Sequence, residues 1–391
     1  PIFDNGASFV SKHSDDKLKN ILSKKDVLYN AVINGVCHFT FNHKQMTFKN
    51  LFKELENTEI KNEVYKLASK SEVAEFTSGS GIANVSFPKK QDNNFDKLIN
   101  KENENIKKQE EHPLIKLFAQ NDEEPQVFVV EKSAEPVVLK LNGTETPLLS
   151  HQVIHAKKDT ESTFIFLYTG NANQFVRTEV FAEENASVHI AKVQLLEDQA
   201  NQLDDTAFIC RDNAKVTFTQ IELGGQHVDS GLHTSLEGYK STFVSNVAYI
   251  CQNEQNLNMN HIVNHWGKKT ECVMKVNGTV KDNAIKSYCG TIDFKKGCSG
   301  SKGNEMEETL LLSPTAINKS LPVILCDEED VEGEHGSTIG RISQDILFYM
   351  QTRGISKAEA EKLLTRAKVQ ATADLIPDEN VKAKISEYIA E

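Results

Sequence analysis

The densest run of chemically capable side chains lies between Cys326 and Arg341. Six carboxylates (Asp327, Glu328, Glu329, Asp330, Glu332 and Glu334) lead into His335, which Gly336 follows. An imidazole is neutral near pH 7 and offers a nitrogen to borderline metals such as iron. Nearby carboxylates could orient its other ring nitrogen, and the flanking glycines Gly333 and Gly336 would let another backbone approach closely. One histidine among loose carboxylates is an incomplete site, so a second surface would have to supply the rest. The same run also reads as a solvated acidic turn that joins strands to helices.

Other constellations carry less. His261 and His265 have the spacing of a zinc protease, but Ile262 stands where the glutamate base belongs, so a bound water would lack its proton acceptor. On a strand the two would face one side, and a shared metal stays open on spacing alone. Gly224-Gly225 beside His227 and His233 reads as a tight turn between strands. The seven cysteines (Cys37, Cys210, Cys251, Cys272, Cys289, Cys298 and Cys326) are widely spaced, with no CxxC pair. Reduced, mostly buried thiols are the simple reading. The stretch from Gly297 to Gly303 resembles a phosphate-binding loop only loosely, because Lys302 precedes the last glycine and no Ser or Thr follows it.

These residues need elements to hold them. From about Val127 to Ile324 the chain reads as short strands, among them Thr163–Tyr168, Ser187–Val193 and Lys215–Ile221, with no long amphipathic helix between them. That pattern disfavours a βαβ fold. Asn185-Ala186-Ser187-Val188-His189-Ile190 aligns with Asn213-Ala214-Lys215-Val216-Thr217-Phe218, 28 residues on. Glu237–Phe243 and Asp282–Tyr288 read as further relatives. A turn leading into a strand at each repeat predicts a mainly β chain with a β-helix (solenoid) core over 126–340. An ordinary sandwich is the alternative.

Residues 1–125 read as a mostly helical N-terminal region and linker. Leu51, Phe52 and Leu55 form one stripe there, and Val64 and Leu67 another. Gly79-Ser80-Gly81 breaks the pattern before a polar stretch from Lys89 to Glu111. Residues 341–391 read as a C-terminal helical domain. Ser343 caps a first helix carrying Ile346, Leu347 and Met350, which Gly354 ends. Ser356 and Glu359 form a capping box for a helix with Ala360, Leu363, Leu364 and Ala367 on one side. Pro377 opens a last helix with Val381, Ile385, Tyr388 and Ile389. The apolar face either covers the end of the strand body or receives a partner.

The 391 residues carry a net charge of -12, which argues against a chain whose main task is gripping nucleic acid. No dense basic stripe is visible. No apolar run reaches the 18 or so residues that a membrane span requires. Pro1 to Phe9 lack the basic start and apolar stretch of a signal peptide, so a cytoplasmic location is expected.

The segment from Asp330 to Arg341, followed by Leu347-Phe348-Tyr349-Met350-Gln351-Thr352-Arg353-Gly354-Ile355, resembles the SufB/SufD family of iron–sulfur cluster assembly proteins. Leu310–Ala316, Ser320-Leu321-Pro322, Arg177-Thr178 and Gly224-Gly225 fit the same pattern, so the resemblance spans roughly 145–375. His335-Gly336 is similar to the SufD branch. The resemblance implies a right-handed parallel β-helix flanked by helices, in a non-catalytic scaffold subunit that pairs with a SufB-like scaffold. It further implies docking of a SufC-like ABC ATPase near 343–375, where Leu347, Phe348, Leu363 and Leu364 would form or support the contact.

By the same resemblance His335 would aid iron entry or cluster formation, as a metal ligand completed by the partner. No cofactor would be bound tightly by the isolated chain, with iron or a cluster held transiently in the complex. A homodimer is a further expectation for the isolated chain. Two departures stand out: Gly333 and Glu334 replace a Cys-Ser pair common in that branch, and a tryptophan- and arginine-bearing N-terminal segment is missing. A SufB-like scaffold holding the nascent cluster itself, or a stand-alone β-helix enzyme acting on polysaccharides, are the competing readings.

Overall fold

The computed structural model describes residues 125–144 and 147–390, with four short strands nearer the start. Those four are β1 (Phe39–Phe41), β2 (Lys44–Met46), β3 (Phe76–Ser78) and β4 (Val85–Ser86). β1 and β2 pair as an antiparallel hairpin. The expected stripes at Leu51–Leu55 and Val64–Leu67 and the polar stretch Lys89–Glu111 lie outside the described residues. Within the span read as helical, the described residues are the strands β1 to β4, not helix.

The body then runs through β5 (Gln126–Val130), β6 (Val137–Gly143), β7 (Leu148–Ala156), β8 (Glu161–Gly170), β9 (Gln174–Ala182), β10 (Ser187–Leu196), β11 (Asn201–Cys210) and β12 (Lys215–Glu222). It continues through β13 (His227–Leu236), β14 (Thr242–Cys251), β15 (Asn256–His265), β16 (Glu271–Val280), β17 (Ile285–Phe294), β18 (Ser301–Leu311), β19 (Ile317–Cys326) and β20 (Val331–Arg341). From β6 onward the even strands form one parallel sheet and the odd strands from β5 the other, each ended by a short antiparallel strand, β3 or β4. Each rung of the solenoid is therefore one odd and one even strand. The mainly β solenoid expected from the repeats is what forms.

Why the repeats look as they do follows from the corners. Ser187 lies opposite Lys215 in register, so the two Asn-Ala units sit one above the other. Asn185 and Asn213 have φ of 58° and 54°, a left-handed conformation that Asn tolerates better than most residues. Asp159, Lys240 and Lys269 take the same role on other rungs. Asn185 N–H donates to Asp212 O at 2.9 Å and Asn213 N–H to Tyr239 O at 2.8 Å, which ties each corner to the next. The fourth sequence relative, Asp282–Tyr288, proves to belong to the other corner. It enters the odd strand β17, and there the left-handed residue is Asp282, at the first turn position rather than the second.

The core lies between the two sheets. Phe128, Phe164, Phe208, Phe218 and Phe243 are buried, and the rings of Phe208 and Phe218 meet edge-on at 5.7 Å. Stacking like residues on successive rungs buries them without any long-range crossover. The outer face of the even sheet is apolar too, as Ile165, Leu167, Val193 and Ile221 show. This is why Thr163–Tyr168 reads as a near-continuous apolar run: both faces are covered.

That cover is helical. α1 (Gln344–Thr352), α2 (Lys357–Ala373) and α3 (Glu379–Ala390) follow the last strand, and Val369, Ala373, Ile376, Val381 and Ile385 pack onto the sheet. The helices thus cover the side of the strand body, not its end. Tyr388 Oη donates to Leu196 O at 3.1 Å and Lys368 Nζ to Glu308 at 2.7 Å, fixing the contact.

Gly354 ends α1 at φ 83°. Its N–H donates to Gln351 O and that of Ile355 to Met350 O, the paired bonds of a Schellman ending. The capping box forms as expected, with Glu359 N–H on Ser356 Oγ at 3.2 Å and Ser356 N–H on the Glu359 carboxylate at 2.8 Å. At α3 the cap is Asp378, whose Oδ1 accepts from Val381 N–H at 2.8 Å, and Pro377 lies just before it. The inward stripe of α2 is Ala360, Val369, Thr372 and Ala373, whereas Leu363 and Ala367 point to solvent and Leu364 is half-buried. No described helix is long and apolar enough to cross a membrane.

Candidate functional site

β20 is the last strand of the even sheet and β19 the last of the odd one. Each is paired on one side only among the described strands. His335 stands opposite Glu305 in register, which continues into Met274, Ser245 and Phe218. All four are buried between the sheets, so His335 occupies an inward-facing column at the last of the described rungs. It is exposed for that reason. Gly333, two residues earlier on the same face, has no side chain where a Cβ would meet Phe294 and Ile324. Ser337, two residues later, donates to Glu307 at 2.9 Å.

The acidic run does not serve His335. Side chains alternate along a strand, and Glu332 and Glu334 take the outer face. There Lys302 Nζ reaches Glu332 at 2.8 Å and Asn304 Nδ2 reaches Glu334 at 2.9 Å. Glu328 accepts from Gly297 N–H at 2.8 Å and Asp330 from Ser299 at 2.6 Å. The run is a structural corner, and the carboxylate in register with the histidine on its own face is Glu305, from the neighbouring strand β18.

Beneath the last rung lies a polar interior that the sequence reading missed. Lys286 forms an ion pair with Glu307, and the same carboxylate accepts from Ser320 at 2.8 Å and Thr309 at 3.2 Å. Burial alone would raise Glu307, but Lys286 and the Ser320 and Ser337 hydroxyls bring it below the usual carboxylate range. For Glu305 the Tyr288 hydroxyl and Lys286 offset burial only in part. Burial, with repulsion from Glu307, pushes it up to about 8, so it is largely protonated at neutral pH. Gly290 makes room for it, because a Cβ there would run into Glu305 and Tyr288. The ammonium of Lys286 also lies 5.3 Å from the Tyr249 ring and 5.1 Å from that of Tyr288. Parity along the strands was the available signal: Lys286 shares a face with Tyr288, and Glu305 with Glu307.

The two histidines of β15 do not share a metal. Four residues along a strand separate them by roughly 13 Å, and each has its own surroundings. His261 meets Tyr288 edge-on at 5.6 Å. His265 lies on Phe294 at 4.7 Å, 2.7 Å from Thr270 Oγ1 and 3.2 Å from Cys272 Sγ. Burial pushes both down to about 3, so they are neutral. Gly224-Gly225 is the expected turn: Gly225 has φ 83°, and Gly224 is clasped by Gln194, whose side chain accepts from Gly224 N–H at 2.8 Å and donates to Gly224 O at 2.6 Å.

Five of the six described cysteines are buried and Cys326 is exposed. Burial pushes Cys251 up to about 12 and Cys298 up to about 11, and holds Cys210 and Cys272 well above the free thiol. Such thiols are poor nucleophiles. Among the described residues no group of three or more His, Cys, Asp or Glu is placed to hold a metal ion. Of the helical positions singled out by sequence, Leu347 is buried, Phe348 is 69% exposed, and Leu363 is exposed beside half-buried Leu364.

Comparison with known proteins gives this geometry a family. The profile described as "SUF system FeS cluster assembly, SufBD core domain" matches residues 139–368. The chain is 26% identical over 271 residues to the iron–sulfur cluster assembly protein SufD of Bacillus subtilis, an alignment covering 68% of this chain and 62% of that protein. It is 25% identical over 242 residues to a SufBD family protein of Synechocystis, covering 52% of this chain and 50% of the relative. The aligned stretches thus span between half and two thirds of these relatives' length. The matched region takes in the solenoid from β6 onward, the terminal strand and most of α2, and the chain belongs to the SufBD core family of SUF-system iron–sulfur cluster assembly proteins.

Proposed function

We propose that this chain is a non-catalytic, SufD-type scaffold subunit of iron–sulfur cluster assembly, working in the cytoplasm. It would pair through its last rung with a SufB-like scaffold and dock a SufC-like ABC ATPase on its C-terminal helices. The observation that carries the reading is the placement of His335, inward-facing on a strand whose outer edge has no partner among the described strands. An open parallel edge offers a row of backbone N–H and C=O groups to another chain. Here two such edges, β19 and β20, end side by side, flanked by exposed Ile317 and Ile339.

A partner of similar architecture would extend both sheets and bring its own side chains to His335. Iron is cargo in this reading. The histidine supplies one borderline nitrogen ligand, and the partner supplies the rest. Phe348 and Leu363 stay exposed on α1 and α2 while Leu347 anchors α1 from beneath, which suits a docking face held by buried support.

The test is co-expression with a SufB-like and a SufC-like protein. Co-purification of the three is expected, and a folded chain that associates with neither rejects the proposal. His335→Ala should leave the assembly intact and lower cluster yield in anaerobic reconstitution. A parental yield from an intact variant complex removes the histidine's role.

A further inference from the structure

We infer that one corner of the solenoid is a docking surface for a short, acidic, extended segment of a protein partner. The corner turns that lead from odd to even strands stack one per rung. Early in this ladder opposite charges answer each other: Lys158 Nζ lies 2.8 Å from Glu184, and Arg211 pairs with Glu237. The lysine–carboxylate pairing then stops, even though the acidic turn 327–330 comes next in the stack, because its Glu328 and Asp330 are taken by Gly297 N–H and Ser299 Oγ. Turns 237–241, 266–270 and 295–300 bring together Lys240, Lys268, Lys269 and Lys296, all exposed and none within ion-pair distance of a described carboxylate. Lys295, in the same group, is neutralised by Asp293.

Two aromatic rings are interleaved with these lysines. Tyr239 is 43% and Trp266 51% exposed. Lys240 Nζ lies 5.4 Å from the first ring and Lys295 Nζ 5.3 Å from the second. The turns are locked together, with Lys240 N–H on Lys268 O and Lys269 N–H on Ser299 O, both at 3.0 Å. Gly238 and Gly267 stand where the neighbouring turn presses on the backbone. The cations are therefore held at rung spacing, and unanswered like charges at such spacing disfavour the fold. In a chain of net charge -12, a concentrated patch of opposite sign is complementary to an anionic partner.

Length selects the partner. Three turns span roughly 10 Å, the reach of about three extended residues. An acidic peptide lying along the stack can place carboxylates on the lysines and an apolar side chain on Trp266. A single nucleic-acid strand fits less well, since such sites run to about 4–16 nucleotides and the acidic remainder of the chain repels a long polyanion. None of these residues enters the cluster-assembly proposal.

Trp266 is the sole tryptophan, so its fluorescence reports on the patch directly. The full chain would be titrated with a pentapeptide of glutamates around a central phenylalanine, with its glutamine counterpart, and with a dodecathymidylate. A saturable emission change with the acidic peptide is expected, weakening as salt is added. It should be about tenfold weaker in a Lys268→Glu/Lys269→Glu variant whose thermal unfolding matches the parent, and intermediate in Lys296→Gln. No saturable response, an equal response to the glutamine peptide, or tighter binding of the oligonucleotide overturns the inference.

Discussion

Among the described residues two lysine–carboxylate pairs lie inside the solenoid, and the same chemistry behaves differently in each. In mid-stack, Lys192 of β10 reaches Asp204 of β11 at 2.5 Å, and Glu222 lies nearby, bonded to Gln220 at 2.6 Å. Burial outweighs Lys192 and raises Asp204 above its ordinary value. Burial, with Asp204 beside it, pushes Glu222 up to about 8. Near the open end, Glu307 is held charged by Lys286 and a set of hydroxyls. Hydroxyl dipoles from β18, β19 and β20 stand in for water there, and the mid-stack pair has no equivalent ring. A carboxylate kept charged in the interior thereby ties the last rung, and the strand bearing His335, to the body.

The largest expected effect breaks the terminal pair. Lys286→Met leaves a buried charge unanswered and should cost about 3–5 kcal/mol in urea unfolding, with most of it regained in Lys286→Met/Glu307→Leu. Lys192→Met should cost about 2 kcal/mol less at pH 6, because Asp204 and Glu222 can take up protons with little penalty. Equal losses for the two lysines would erase the distinction.

The pH dependence sharpens the same contrast. Glu222 binds its proton more tightly folded than unfolded, so its contribution is complete below the ordinary carboxylate value and is lost as pH rises towards 8. Stability should fall by about 1.4 kcal/mol per pH unit in that window on account of this one group. Glu305, raised to the same range, adds a like amount, so Glu222→Gln should remove about half of the combined slope, and an unchanged slope would count against the assignment. Ser337→Ala removes one hydroxyl from Glu307 and should cost about 1 kcal/mol, whereas Ser245→Ala, buried on the inner face with its hydroxyl bonded to neither pair, should cost less. The smallest effect is expected at His335, where Ala should alter the unfolding midpoint by no more than about 0.5 kcal/mol. A larger loss would mean that the histidine supports the fold.

Much of this was legible in local sequence. The Asn-Ala units marked stacked corners because left-handed turn residues and the buried alanines that follow them, Ala186 and Ala214, are local requirements. Ser356 with Glu359, and Gly354, announced helix ends through bonds that span only a few residues. The acidic run before His335 misled in one respect. Proximity in sequence suggested carboxylates around the imidazole, but the alternation of a strand sends Glu332 and Glu334 to the other side. Pro377 misled in a smaller way, since Asp378 makes the capping bond.

The coiling of the strands, the helical ending and the family motif around His335 are written in local sequence, because each is encoded in short-range period, turn chemistry and capping. Which residues share the interior, which described edge stays open, and that lysines some 28 positions apart form one surface emerge only on folding. Register is the cause. A solenoid brings together residues one full turn apart, and whether each faces the core or solvent is fixed only when neighbouring rungs align.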